Sequence, residues 1–283
     1  MKNVGRAALP QGYERLVYVG GVEAVGLADL AGPLRRALDA GSFHEYAMHH
    51  PDARILEGRG AVYAVPLPGS SVRVVVRRSR HGGLLAPITG ERFLGRTRAP
   101  RELETALRLE RSGVATPRVI AYATYPDPPL ARRADVLTAE IAGAHDLAHE
   151  IMATGGLALG DDLITAIAAL LASLTAAGAR HPDLNIKNIL VTRFENGAVH
   201  AQVIDVDRVW FDRPGRALVT RRNLERLTRS LHKWRRLHGL QVDDFDIQSI
   251  ADAVDSILEE GAGSGGTGGG VGRSERDESA ALA

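Results

Sequence analysis

Apolar and polar positions alternate along residues 60–77, broken around Pro66, Pro68 and Gly69. A period of two puts every second side chain on one face of a strand, so 58–65 and 71–77 read as two strands joined by a turn. A glycine-containing basic stretch, 78–99, follows, and the period then changes. Leu103, Ala106, Leu107 and Leu109 give a broad apolar face between Pro100, which suits a first helical turn, and Gly113, which suits a helix end. The apolar segment 133–144 reads as a further strand. Residues 163–178, LITAIAALLASLTAAG, are apolar nearly throughout and follow Asp161 and Asp162, which predicts a buried helix over 161–177. This run falls short of the ~20 apolar residues that a membrane span needs. Segments 188–194 and 199–205 read as a hairpin, because Asn196-Gly197 readily adopts the positive φ of a tight turn. Leu224, Leu227, Leu231 and Trp234 mark one face of a last helix over 221–236, with basic residues on its other faces. After Glu260 the run GAGSGGTGGGVG and a charged end carry too little apolar surface to offset ordering, so 261–283 is expected to be a disordered tail.

Composition changes this picture little. The 283 residues are 45% hydrophobic and 24% charged, enough for one large or two modest cores. Lys and Arg number 35 against 34 acidic residues, so net charge points to no class of partner, and only local clusters do. The absence of cysteine excludes a disulfide framework and thiolate metal sites. The first residues lack the continuous apolar core of a signal peptide, which makes the cytoplasm the expected compartment. No nucleic-acid partner is expected: no binding module is recognisable, and aromatics are only 5% of the chain. Nothing in the pattern sets an oligomeric state.

The chemistry concentrates at residues 181–191, HPDLNIKNILV, where a polar loop lies between the buried helix and the hairpin. Asp183 can accept the proton of a hydroxyl nucleophile. Asn188, and Asp205 at the end of the second hairpin strand, can offer oxygen ligands to Mg²⁺, a hard cation that also holds phosphates. That combination is phosphoryl-transfer chemistry; the alternative for the loop alone is a solvated turn. The spacing of His181, Asp183, Leu184 and Asn188 resembles the H-R-D-L-x-x-x-N loop of protein kinases, with Asp205 at the D of D-F-G. By that resemblance His181 positions the loop, and Lys187 either neutralises the transferred phosphoryl group or is a plain surface lysine. Val75 and Arg77 share a strand face and resemble the V-A-I-K strand, with Arg77 in the place of the phosphate-binding lysine. Glu102 is the corresponding ion-pair partner, though an acidic residue also suits any first helical turn. Gly58 and Gly60 suit either an abbreviated phosphate-covering loop or a hairpin turn. Leu190 is either a floor beneath adenine or a core contact.

Joined in order, VVVRRSRHGG, RELETALRLERSGVATPRVIA, HPDLNIKNIL and VIDVDR resemble the lipopolysaccharide kinase family, which includes the 3-deoxy-D-manno-octulosonic acid (Kdo) kinases, over roughly residues 55–235. Arg77 and the I-D-x-D pattern ending in Asp207 are similar to that family and depart from protein kinases. The resemblance implies an α+β, bilobal protein-kinase-like fold. An N-terminal extension over 1–54, a β-rich N-lobe over 55–137 and a mainly helical C-lobe over 138–260 are expected. It further implies ATP and Mg²⁺ as cofactors, and transfer to a lipid-linked Kdo acceptor at the cytoplasmic face of the inner membrane. Arg73, Arg77, Arg78, Arg80, Arg92, Arg96, Arg98 and Arg101, with the basic helix 221–236, form the expected patches for that anionic membrane surface. Small-molecule phosphotransferases of the aminoglycoside or choline type share the loop and are the alternative; a nucleotide-binding pseudokinase is a third reading.

Overall fold

The computed structural model describes residues 8–56, 61–79, 93–94, 97–127, 129, 131–153 and 159–264. Strands β1 (Tyr13–Val19), β2 (Val22–Leu27), β3 (Arg54–Leu56), β4 (Val62–Pro66), β5 (Arg73–Arg78), β6 (Phe93–Leu94), β7 (Val119–Asp127) and β8 (Ala131–Ala139) form one antiparallel sheet. Its order is β1-β2-β7-β8-β5-β4-β3, with β6 also on β8. Helices α1 (Ala31–Leu38), α2 (Phe43–His49) and α3 (Ala99–Arg111) cover it.

Register decides which helix meets which face, because directly paired residues project to the same side. Val25, Tyr122, Val136 and Arg77 form one row, and α3 lies on that side, joined to Arg77 through Glu102. Gly26, Ala121, Leu137, Val76 and Tyr63 form the neighbouring row on the opposite side. There a Cβ on Gly26 would stand 2.6 Å from Leu34 Cδ1 of α1, so a larger residue would have to displace the buried Leu34 side chain. The His44 ring of α2 meets Tyr63 edge-on at 5.3 Å. Asp135 of β8 is fully buried under α2, accepts the His44 N–H at 3.0 Å and faces Arg78 Nε at 3.4 Å. Residues expected as an extension, 1–54, thus supply β1, β2, α1 and α2 of the N-lobe itself. Leu34 and Phe43 are as inaccessible as any core residue.

The second half is mainly helical: α4 (Leu147–Ala153), α5 (Asp161–Ala176), α6 (Ala217–His238) and α7 (Asp244–Ser264). Buried α5, with Leu163, Ile167, Leu171 and Leu174, is packed by α6 and α7. Two small sheets lie beside it. β9 (His145–Asp146), β11 (Ile189–Arg193) and β12 (Val199–Val203) form one, and β10 (Ala179–Arg180) with β13 (Trp210–Phe211) forms the other. Gly178 permits the second: at φ 68°, a Cβ there would lie 2.4 Å from Asp212 O, whose own N–H donates to Gly178 O at 2.8 Å.

The strand expected at 133–144 is β8, ending at Ala139, and α7 carries helical backbone to Ser264, past the expected end at Glu260. Residues 265–283 of the expected tail lie outside the described residues. No described helix is long and apolar enough to cross a membrane.

Candidate active site

β5 alternates cleanly. Val74 and Val76 are fully buried on one face, while Val75 and Arg77 are partly open on the other. The Arg77 guanidinium bonds the Glu102 carboxylate, and its Nη2 lies 3.8 Å from Asp205 Oδ1. Glu102 is only 3% exposed. Burial raises its carboxyl above the usual carboxylate range, with Arg77 the leading opposing influence.

The polar loop is built around a buried imidazole. The His181 N–H donates to Asn223 Oδ1 at 3.1 Å, its Nε2 lies 3.0 Å from Ile204 O, and its Nδ1 accepts the Asp183 N–H at 3.3 Å. These partners place the ring proton on Nε2. Burial lowers the pKa of His181, which keeps the ring neutral. Asp183 is exposed, and its carbonyl accepts Asn185 Nδ2 at 3.0 Å and Asn188 Nδ2 at 2.8 Å. The amide of Asn188 therefore spends its nitrogen inside the loop and keeps its oxygen for another partner.

Asp205 is the one described non-glycine residue at positive φ, with φ 61° and ψ 47°, a conformation that costs roughly 1–2 kcal/mol for an L-residue. It is held from both sides. The Ile204 N–H donates to Asn188 O at 3.0 Å, and Asp207, in the 3₁₀ turn that follows, accepts Arg98 Nη1 at 3.1 Å. Arg101 reaches Val209 O at 3.4 Å, and Arg108 stacks over Phe211 at 3.7 Å. One ridge of α3 and the residue just before that helix grip the segment after Asp205. Burial, and then the charge of Asp205, raise the Asp207 carboxyl, while Arg98 opposes them.

Residues 57–251 match the model of the lipopolysaccharide kinase (Kdo/WaaP) family. The chain belongs to this family. Curated relatives named 3-deoxy-D-manno-octulosonic acid kinase include one from Vibrio vulnificus, 31% identical over 70% of this chain and 81% of its own. Another from Stenotrophomonas maltophilia is 32% identical over 72% and 79%, and one from Xanthomonas oryzae pv. oryzae 35% over 70% and 76%. A solved structure of WaaP in complex with acyl carrier protein matches at TM-score 0.51 and 18% identity, over 82% of this chain and 91% of that one. The fold is thus protein-kinase-like, as the loop spacing implies, and this lipopolysaccharide kinase is a phosphotransferase with an alcohol group as acceptor.

In this family member Arg77, Glu102, Asn188, Asp205, Asp183 and His181 form one connected constellation. Lys187 is connected to it through the loop, with its Nζ 2.8 Å from Asp146 Oδ2 and 5.5 Å from the Trp234 ring centre, so its charge is matched within the chain. Val75 and Leu190 are both partly buried on strands, β5 and β11. Gly58 and Gly60 lie outside the described residues, as do Arg80, Arg92 and Arg96.

The expectation of a free basic patch needs correction at the other five arginines. Arg73 pairs with Glu140, Arg77 with Glu102, Arg78 with Asp135 and Arg98 with Asp207, while Arg101 bonds a backbone carbonyl. Arg98 and Arg101 tie the sheet's helix α3 to the segment after Asp205, and the other three brace the sheet itself; their acidic partners are distant in sequence, which is why the segment reads as unbalanced. Sequence reasoning also missed Asn223 and Asp146, which lie 42 residues after His181 and 41 residues before Lys187. No local pattern marks either one.

Proposed function

We propose that this kinase transfers the γ-phosphoryl group of ATP to a hydroxyl of a Kdo sugar on a lipid A precursor, at the cytoplasmic face of the inner membrane. The observation that carries this reading is the convergence of Asp183, Asn188 and Asp205, joined by backbone and amide hydrogen bonds, with the Arg77–Glu102 pair beside Asp205. The names of the relatives supply the acceptor class.

Asp183 takes the proton of the acceptor hydroxyl as the new O–P bond forms and the bond to the ADP oxygen breaks. Its exposed side chain sits on a loop whose backbone is fixed by His181, Asn185 and Asn188. Arg77 holds phosphate oxygens, and Glu102 orients its guanidinium. The donor set fits Mg²⁺: an amide oxygen and a carboxylate, both hard ligands, leave most positions to phosphates and water. Bound there, Mg²⁺ would draw negative charge from the β- and γ-phosphates. The exposed Arg226, Lys233 and Arg236 of α6 carry the proposed attraction to acidic lipid.

Purified protein incubated with ATP, Mg²⁺ and a Kdo-bearing lipid A precursor should phosphorylate the sugar. Asp183→Asn should bind nucleotide normally yet lose transfer by at least about 100-fold, since an amide cannot accept the proton. Transfer to aminoglycosides or choline in place of the Kdo acceptor would move the assignment to the small-molecule phosphotransferases, and near-normal turnover by Asp183→Asn would remove its role as base.

A further inference from the structure

Trp210 stands on the strand paired with the one that leads into the catalytic loop. In the β10–β13 ladder Arg180 is opposite Trp210 and Ala179 opposite Phe211, and Asp183 is three residues beyond Arg180. The two-residue strand β13 splits its aromatic side chains. Phe211 is partly covered and lies under Arg108, whereas Trp210 is 53% exposed.

A single exposed apolar side chain is ordinary. Trp210 differs in being held. Its backbone is paired to β10, Val209 O is bonded by Arg101, and the Arg180 guanidinium lies over its ring at 5.1 Å. Arg180 Nε is buried and has no hydrogen-bond partner in the protein, so a ligand would meet the terminal nitrogens, which share their surroundings with the Asp212 carboxylate. Arg208 and Arg213, both exposed, flank the ring in sequence. The result is a held aromatic face with guanidinium groups beside it, on the strand paired with the one that leads into the phosphoryl-transfer loop. Such a face suits a ligand with a C–H-rich ring surface and a negative charge at its edge.

We infer that Trp210 and Arg180 form the acceptor subsite for a sugar acid, the pyranose ring stacking on the Trp210 indole and its carboxylate meeting Arg180. This rests on the Kdo-acceptor reading above, in which the acceptor is an octulosonic acid. Trp210 and Arg180 are then specificity residues: they place the sugar for Asp183 and take no part in nucleotide binding.

The test uses full-length protein and a water-soluble, deacylated Kdo saccharide. Trp210→Ala should raise KM for the saccharide about tenfold and leave KM for ATP within about twofold of the wild type. Trp210→Phe should keep most of the affinity, and Arg180→Gln should raise the saccharide KM as well. Because the chain has two tryptophans, wild type and Trp210→Phe together isolate the Trp210 emission. Saccharide should quench that emission in the wild type, and Trp210→Phe should not respond. An unmoved saccharide KM in an active Trp210→Ala protein overturns the inference alone. A KM that rises only for vesicle-embedded acceptor makes Trp210 a bilayer contact and also overturns it. Wild-type protein that ignores the saccharide overturns the proposed function and this inference with it.

Discussion

Replacing Arg77 and Glu102 separately and together should give strongly non-additive stability losses. Glu102 is 3% exposed, while the Arg77 side chain is 26% exposed. Burial raises the Glu102 carboxyl above the usual carboxylate range, with Arg77 opposing it, so taking away the cation leaves a desolvated charge behind. Arg77→Met leaves a buried carboxylate without its cation and should cost about 3–5 kcal/mol. Glu102→Leu leaves a guanidinium that is still 3.8 Å from Asp205 and partly wet, so its cost should be smaller, about 2 kcal/mol. The double variant removes both charges and should cost no more than about 2 kcal/mol. Urea unfolding followed by circular dichroism measures all four proteins. The sign of the pH effect follows from the same burial. A folded carboxyl that binds its proton more readily than the unfolded one gains stability as pH falls through its folded pKa, so the Arg77→Met deficit should shrink in acid. Phosphoryl transfer should not return in the double variant, whose phosphate-holding cation is gone, whereas Arg77→Lys should retain measurable transfer. Additive stability losses, or an active double variant, would refute this account of the pair.

Asp205→Ala should abolish Mg²⁺-dependent ATP binding in calorimetry while easing the strained backbone only slightly; unchanged Mg²⁺-ATP affinity would reject Asp205 as a ligand. Asp135→Ala should cost about 3 kcal/mol, because it removes the acceptor of the His44 N–H and the partner of Arg78. Asp135→Asn should cost about 1 kcal/mol, since burial already disfavours the charge; equal losses in urea unfolding would show that the charge matters more than the acceptor. His181 is held neutral by burial, so the unfolded chain takes up its proton first as pH falls. Stability should therefore drop below about pH 6.5 with a slope of at most about 1.4 kcal/mol per pH unit from this group, and His181→Gln should remove that part of the slope in unfolding series at several pH values.

The polar loop is legible in the sequence because its parts are contiguous: His181, Asp183 and Asn188 fall within eight residues. Arg77 is legible because strand alternation alone fixes its face. β7 is not, since seven of its first residues are buried and a strand covered on both sides shows no alternation. α1 and α2 are short, and α1 carries Gly32 and Pro33 in its first turn. α7 goes unpredicted although Ile247, Ile250, Val254 and Ile257 recur at helical spacing. Pairings such as Arg98–Asp207 and His181–Asn223 join residues 109 and 42 positions apart, and only the folded chain reveals them. The arginines after β4 mislead for the same reason: a sequence window counts their charge and cannot count the carboxylates that meet them.

The pairing of β2 with β7 places Ala24 against Ala123, and this sets an order of events during synthesis. Val25 emerges from the ribosome about a hundred residues before Tyr122 of β7, its cross-strand partner. At 5–20 residues per second, that interval is roughly 5–20 s. For that time the β2 edge of the hairpin has no partner strand, which is the period of its greatest exposure to aggregation and to holdase chaperones. The β3-β4-β5 end of the sheet can pair strand by strand as it is made, whereas the β1–β2 hairpin has to wait. The sheet is completed only when β7 and β8 join the β1–β2 hairpin to β5 and bring Asp135 under α2, and substitutions in residues 13–27 should lower the yield of folded protein more than they lower the activity of the molecules that do fold.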